Sequence, residues 1–159
     1  MSRTSGKAPP WRRRRARSRN RQAVPAFHSR GEGRDRAMSL KVLVVEDEAV
    51  IALLLEDMLA ELGHDMVAMT GNIDDARAAA DCRQIDLAIL DVNLGEQSSY
   101  PLARDFSARG IPFILATGYG KNDLDEEWRD GVVLEKPFEM TALSAAIRES
   151  IARQASLAN

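Results

Sequence analysis

The stretch LKVLVVEDE, residues 40–48, decides the fold: an apolar run long enough for one strand ends abruptly in three carboxylates, Glu46, Asp47 and Glu48. A run without polar alternation is what a strand covered on both faces of a parallel sheet requires. Four further runs follow at Met66–Met69, Leu87–Leu90, Pro112–Ala116 and Val132–Leu134. Between them the spacing turns helical. Ile51, Leu55, Met58 and Leu62 form one stripe, closed by Gly63 as a C-terminal cap. Asn72–Asp81 predicts a small Ala-rich helix. A third helix starts near Ser98 or Ser99, with Pro101 in its first turn and Leu102 and Phe106 facing the core. Met140, Leu143, Ile147 and Ile151 predict the last one, whereas Tyr119–Trp128, rich in Gly and Asp, predicts a helix that is short or mobile. The alternation gives an α/β fold of five βα units, a doubly wound five-stranded parallel sheet with right-handed crossovers.

Outward from this core, the 159-residue chain divides by charge just before Met38. Residues 1–37 hold 12 basic and 2 acidic side chains, and residues 38–159 hold 10 basic and 22 acidic, a net +10 against −12. The first segment mixes Arg, Ser, Pro and Gly and predicts a disordered basic tail. Two readings of it stay open: an arm for nucleic acid or an anionic surface, or a stretch upstream of the true translation start at Met38. The rest suits one domain over 38–153, with a C-terminal tail at 154–159 and no fused output module. A single cysteine, Cys82, excludes an internal disulfide framework and a Cys-rich zinc site, and His28 and His64 are too few for multi-histidine metal chemistry. The longest apolar stretches, Val42–Val45 and Ala49–Leu55, fall far short of the roughly 20 residues of a membrane span. No apolar h-region follows Arg12–Arg15, so a cytoplasmic protein without membrane insertion is expected.

In an open parallel sheet, ligands collect beyond the carboxyl ends of the strands. This chain places Glu46-Asp47-Glu48 at the end of the first predicted strand, Asp91 after the third, Thr117 after the fourth and Lys136 after the fifth. Two carboxylates about 5 Å apart repel by roughly 3 kcal/mol at an effective dielectric near 20, so a cluster of them needs compensation. Oxygen ligands alone suit Mg²⁺, or Mn²⁺, rather than zinc. Glu46, Asp47 and Asp91 are the expected carboxylate ligands, joined by the backbone carbonyl of Asn93, while Glu48 faces solvent at the first helix start. Lys136, held extended by Pro137, and the hydroxyl of Thr117 can each bind an oxygen of an incoming phosphoryl group. Phosphoryl transfer needs positioning and charge neutralisation, and an aspartate can serve as its nucleophile. Asp91 is the candidate, because Leu87–Leu90 hold it rigidly on the central strand.

These residues resemble the receiver domain of bacterial response regulators, with its flavodoxin-like sheet. VLVVEDE, ILDV, LATGYG and LEKPF fall in its order and spacing from about Leu40 to Ile151. The resemblance implies phosphorylation of Asp91 by transfer from a phosphohistidine on a sensor histidine kinase or phosphotransfer protein, followed by slow self-hydrolysis. It also implies Mg²⁺ held by Glu46, Asp47, Asp91 and the Asn93 carbonyl, phosphate reading by Thr117 and Lys136, and a cis bond between Lys136 and Pro137. Two positions depart from the common pattern: Gly95 stands where receivers usually carry a Pro, and Val133 where they carry the aromatic partner of the switch threonine. PFILATGYG, residues 112–120, instead resembles the Pro-Phe-x-Phe-Ala-Thr-Gly-Tyr signature of stand-alone receivers linked to general stress signalling, with Leu115 in place of the second Phe. In that group Tyr119 is the alternative switch or water gate. Output would pass to a downstream protein partner. The rival readings are a metal-dependent phosphohydrolase, a phosphorylation-independent interaction module, and a DNA-binding regulator acting through the basic tail.

Overall fold

The computed structural model describes residues 38–159, and the expectations for residues 1–37 lie outside the described residues. Five parallel strands carry the domain: β1 (Lys41–Val45), β2 (Asp65–Thr70), β3 (Leu87–Asp91), β6 (Phe113–Thr117) and β7 (Val133–Glu135). They lie in the order β2-β1-β3-β6-β7. A small hairpin, β4 (Asn93–Leu94) with β5 (Gln97–Ser98), follows β3. The helices are α1 (Ala49–Glu61), α2 (Ile73–Cys82), α3 (Tyr100–Ala108) and α4 (Met140–Leu157).

The doubly wound arrangement follows from strands with two apolar faces. Val42 and Val44 of β1 and Leu87 and Ile89 of β3 pack with Leu55, Leu59, Leu143 and Ile147 of α1 and α4. Leu43, Val45, Ala88 and Leu90 face the other way, toward Ala76 of α2 and Leu102 and Phe106 of α3. All five residues of β3 are buried, which fixes Asp91 at the end of a strand clamped from both sides. Emptying such a position is expensive: Phe106, fully buried, would cost about 3–5 kcal/mol on truncation to Ala.

Three local expectations are revised, and a fourth, the start of α3 near Ser98 or Ser99, is borne out. On α1 the buried stripe is Ala52, Leu55, Met58 and Leu59, with Ile51 only half-buried and Val50, Leu53 and Leu54 exposed. The helix is apolar around most of its circumference, so periodicity alone does not choose the buried face. The crossover from β6 to β7 is two 3₁₀ turns, Lys121–Asp123 and Glu126–Trp128, in place of a fifth α-helix. Side chains fasten this strap: Arg104 of α3 pairs with Glu127 at 2.8 Å, the Tyr100 hydroxyl accepts from Asp125 N at 3.1 Å, and Trp128 stacks on Tyr100 and meets Phe113 edge-on. The start of α3 uses both serines: Ser99 occupies the cap position without a side-chain bond, and the Ser98 hydroxyl takes the Tyr100 amide at 3.2 Å. Finally, the boundary expected at 153 falls inside α4, whose last turns run to Leu157, so most of the expected tail is helical. Gly63, at φ +85°, follows Leu62 and ends α1 as expected.

Candidate functional site

The strand order reverses between β1 and β3, so the crevice beyond their carboxyl ends is where side chains from separate elements converge. β1 delivers Glu46 and Asp47. The Glu46 amide donates to Thr70 O at 2.9 Å, extending the chain beside β2 for one more residue and turning the Glu46 side chain inward, where it is 4% exposed. Asp47 is exposed. β3 delivers Asp91, 5% exposed, and β6 delivers Thr117, also buried. Thr117 follows Ala116, the residue opposite Asp91 across the sheet. After β7 the Lys136 amide donates to Thr117 O at 2.8 Å, and the Lys136–Pro137 peptide bond is cis.

Lys136 ties the cluster together. Its Nζ donates to Glu46 Oε2 and to Asp91 Oδ2, each at 2.9 Å. The remaining oxygens take backbone amides: Glu48 N donates to Glu46 Oε1 at 3.0 Å, and Asn93 N to Asp91 Oδ1 at 3.2 Å. The Thr117 hydroxyl accepts from Tyr119 N at 3.1 Å, while the Tyr119 ring is 73% exposed. Asn93 is exposed, and Glu48 faces solvent at the start of α1 as expected.

One carboxylate oxygen each from Glu46, Asp47 and Asp91 lie within 4.8 Å of one another. One ammonium among three carboxylates leaves negative charge in excess, and the donors are all hard oxygens, so this set fits a small divalent cation. Burial pushes the Glu46 carboxyl up to about 6, against the lowering effect of its bonds from Lys136 and Glu48 N. For Lys136 burial opposes the charged form, but the hydrogen bonds to Glu46 and Asp91 outweigh it and hold the ammonium above its ordinary value.

Residues 42–148 match the family model of the response regulator receiver domain. The chain belongs to that family. This receiver is similar to the transcriptional regulatory protein PdtaR of Mycobacterium tuberculosis, with 32% identity over 75% of the chain and 60% of PdtaR. It is similar to the phyllosphere-induced regulator PhyR of Methylorubrum extorquens, with 29% identity over 75% of the chain and 47% of PhyR. It thus spans about half to three fifths of these two curated relatives. Among solved structures, SdrG from Sphingomonas melonis Fr1 is 41% identical, with a TM-score of 0.63 over 69% of this chain and 94% of SdrG. SdrG is also known in a BeF3-activated conformation, which aligns with a TM-score of 0.64. Among the described residues, no helix of the receiver is long and apolar enough to cross a membrane.

The structure brings together Glu46, Asp47, Asp91 and Lys136, which the sequence places at strand ends, and adds two features that the reading of strand ends did not suggest. The β4–β5 hairpin brings its Gly95 close to Asp47: a Cβ at Gly95 would stand 3.9 Å from Asp47 Oδ2. The sequence signal was present in Gly95-Glu96, a Gly-X pair between two short extended segments. The second is the contact of Lys136 with Glu46, 90 residues away, which no local pattern encodes.

Proposed function

We propose that this receiver accepts a phosphoryl group on Asp91 from a phosphohistidine of a sensor histidine kinase or phosphotransfer protein, and signals through a further protein. The observation that carries this reading is Lys136 Nζ placed 2.9 Å from both Asp91 and Glu46, at the carboxyl end of a fully buried central strand. In the transfer, one carboxylate oxygen of Asp91 attacks phosphorus, the O–P bond forms, and the donor's N–P bond breaks with its electron pair left on the imidazole nitrogen. Glu46, Asp47, Asp91 and the Asn93 carbonyl would hold Mg²⁺, or Mn²⁺ in its place, and the ion would neutralise charge on the phosphoryl oxygens.

The chain's own groups do the rest. Lys136, already beside Asp91, can move its ammonium from the carboxylate pair onto a phosphoryl oxygen. Thr117 supplies a hydroxyl that another oxygen can accept from, a change that rebalances its bond with Tyr119 N. The exposed Tyr119 would then mark the state of this loop, in place of the aromatic missing at Val133. The reading is also supported by the likeness to SdrG, for which a BeF3-activated conformation is known. A stress-signalling role is supported by the PFILATGYG segment and by the 25% identity to the PhyR stress response regulator, of which the chain covers 46%. A cytoplasmic location accords with a kinase-coupled receiver.

Incubation with acetyl phosphate and Mg²⁺ followed by intact-mass measurement tests the reading. Wild type should gain one phosphate and Asp91→Asn none. An equal gain in both would place the acceptor elsewhere.

A further inference from the structure

We propose that the clasp between α3 and the strap, Arg104 with Glu127 and Tyr100 with Asp125, is an autoinhibitory contact that opposes phosphorylation of Asp91. This rests on the reading of Asp91 as the phosphoryl acceptor. The strap leaves the sheet at Thr117 and re-enters through β7, which ends beside Lys136, so its two feet are the two groups that would bind phosphoryl oxygens. The feet are bonded to each other, the Lys136 amide donating to Thr117 O at 2.8 Å. The Thr117 hydroxyl also holds the first turn of the strap, accepting from Tyr119 N at 3.1 Å. Gly120, at φ +80°, lies against the second foot, where an added Cβ would stand 3.3 Å from Glu135 Oε1. Turning the hydroxyl to a phosphoryl oxygen, or drawing Lys136 onto one, therefore displaces a foot of the strap, and a strap clasped to α3 resists that displacement.

Between its feet the strap is fixed by side chains. Among the described residues, its main-chain to main-chain bonds stay inside it: Asp123 N donates to Gly120 O, Leu124 N to Lys121 O, Trp128 N to Asp125 O and Gly131 N to Trp128 O. The hold on α3 is a fork, Arg104 Nε lying 3.2 and 3.1 Å from the two Glu127 oxygens and a terminal nitrogen 2.8 Å from the second. Beside it the Tyr100 hydroxyl accepts from Asp125 N. On the other side Arg153 of α4 donates to Asp130 O. The α3 anchor is itself fixed relative to the acceptor strand, because the Tyr100 amide donates to Ser98 Oγ in the hairpin that follows Asp91. Leu124 and Trp128 plug the strap into the core on the α3 side. Trp128 Nε1 has no acceptor among the described residues, and a buried donor left unpaired weakens the seat. An exposed fork, one amide bond and an imperfect plug make a contact weak enough for a phosphoryl group to open and strong enough to oppose it.

Linkage fixes the sign of the effect: a contact that opposes the phosphoryl-bound state weakens binding of its mimic, so loosening the contact tightens binding. The full chain is titrated with beryllofluoride in the presence of Mg²⁺, bound fluoride is read by fluorine NMR, and urea unfolding follows the stability of the same variants. Glu127→Gln and Arg104→Ala should each tighten binding roughly two- to fivefold, the scale of an exposed ion pair. Tyr100→Phe, which removes only the hydroxyl that accepts Asp125 N, should tighten it in the same direction. The charge-reversed pair Arg104→Glu with Glu127→Arg should return to the wild-type affinity. Asp81→Asn is the control, breaking a 3.1 Å ion pair between α2 and Arg109 that does not involve the strap, and should bind as wild type does. Variants at 104 and 127 that lose stability without binding more tightly, equal tightening in Asp81→Asn, or a reversed pair that stays as tight as the single variants would overturn the proposal. Wild type that binds no beryllofluoride, or Asp91→Asn that binds it undiminished, would instead remove the reading of Asp91 on which the proposal stands.

Discussion

The two ends of the sheet treat polar side chains in opposite ways. At the amino end, polar side chains serve the backbone: Asp86 accepts the Lys41 amide at 2.8 Å, and His64 Nδ1 accepts the Leu40 amide at 3.3 Å. These bonds, with Asp86 N donating to Lys41 O, tie the starts of β1 and β3 together. At the carboxyl end, Glu46, Asp47 and Asp91 converge on one another, and Lys136 arrives from a distant strand to offset them. The same strands therefore carry a finished end and an unbalanced one. The lesson is that chemistry collects where charges are gathered by topology and left short of compensation, whereas charges satisfied by their own neighbourhood hold the fold.

Mutations and pH can sharpen or break this contrast. The largest effect is expected for Lys136→Ala, which strips the counter-charge from two buried carboxylates and should lower metal-free stability by about 3 kcal/mol in urea unfolding. Lys41→Ala at the opposite end should change it by less than about 0.5 kcal/mol, and equal losses would dissolve the distinction. Next comes Glu46. Its folded pKa of about 6 exceeds its ordinary 4.5, so the native state binds the extra proton. Stability from this group is complete below pH 4.5 and is lost as pH rises through about 6, a swing of about 2 kcal/mol that Glu46→Gln should flatten in metal-free denaturation measured across that range. Asp86→Ala should cost about 1–2 kcal/mol by removing the acceptor of the Lys41 amide, yet leave phosphorylation by acetyl phosphate at the wild-type rate. The smallest effect belongs to His64, whose pKa is lowered by burial despite the attraction of Asp65. Its contribution is present above the ordinary value of 6.5 and is lost as pH falls below it, opposite in sign to Glu46, and His64→Gln should remove that slope from the same titration.

The fold was legible where the chain is buried on two faces. Val42–Val45 and Leu87–Leu90 can be little else than interior strands, and their spacing fixed the order of the units. The site residues were legible because each stands at a strand end, where topology does the gathering. What stayed hidden has physical reasons. The strap after Thr117 has enough apolar residues to resemble a helix, but Gly118, Gly120 and its dense acids do not sustain one, and its anchors, Arg104 and Tyr100, lie in another helix. On α1 a nearly uniform apolar surface gave no phase for the buried face. The hairpin strands hold only two residues each, too short for periodicity to register, although Gly95-Glu96 marks their turn.

The strap has one more implication. A segment built from two 3₁₀ turns carries few main-chain bonds of its own, and it is tethered instead by an arginine, a tyrosine and a tryptophan. Rerouting it demands the exchange of a few side-chain grips rather than the melting of a helical ladder. This stretch has less of a main-chain ladder to melt than an α-helix, and in heavy water its amides should pick up deuterium well before those of α1–α4.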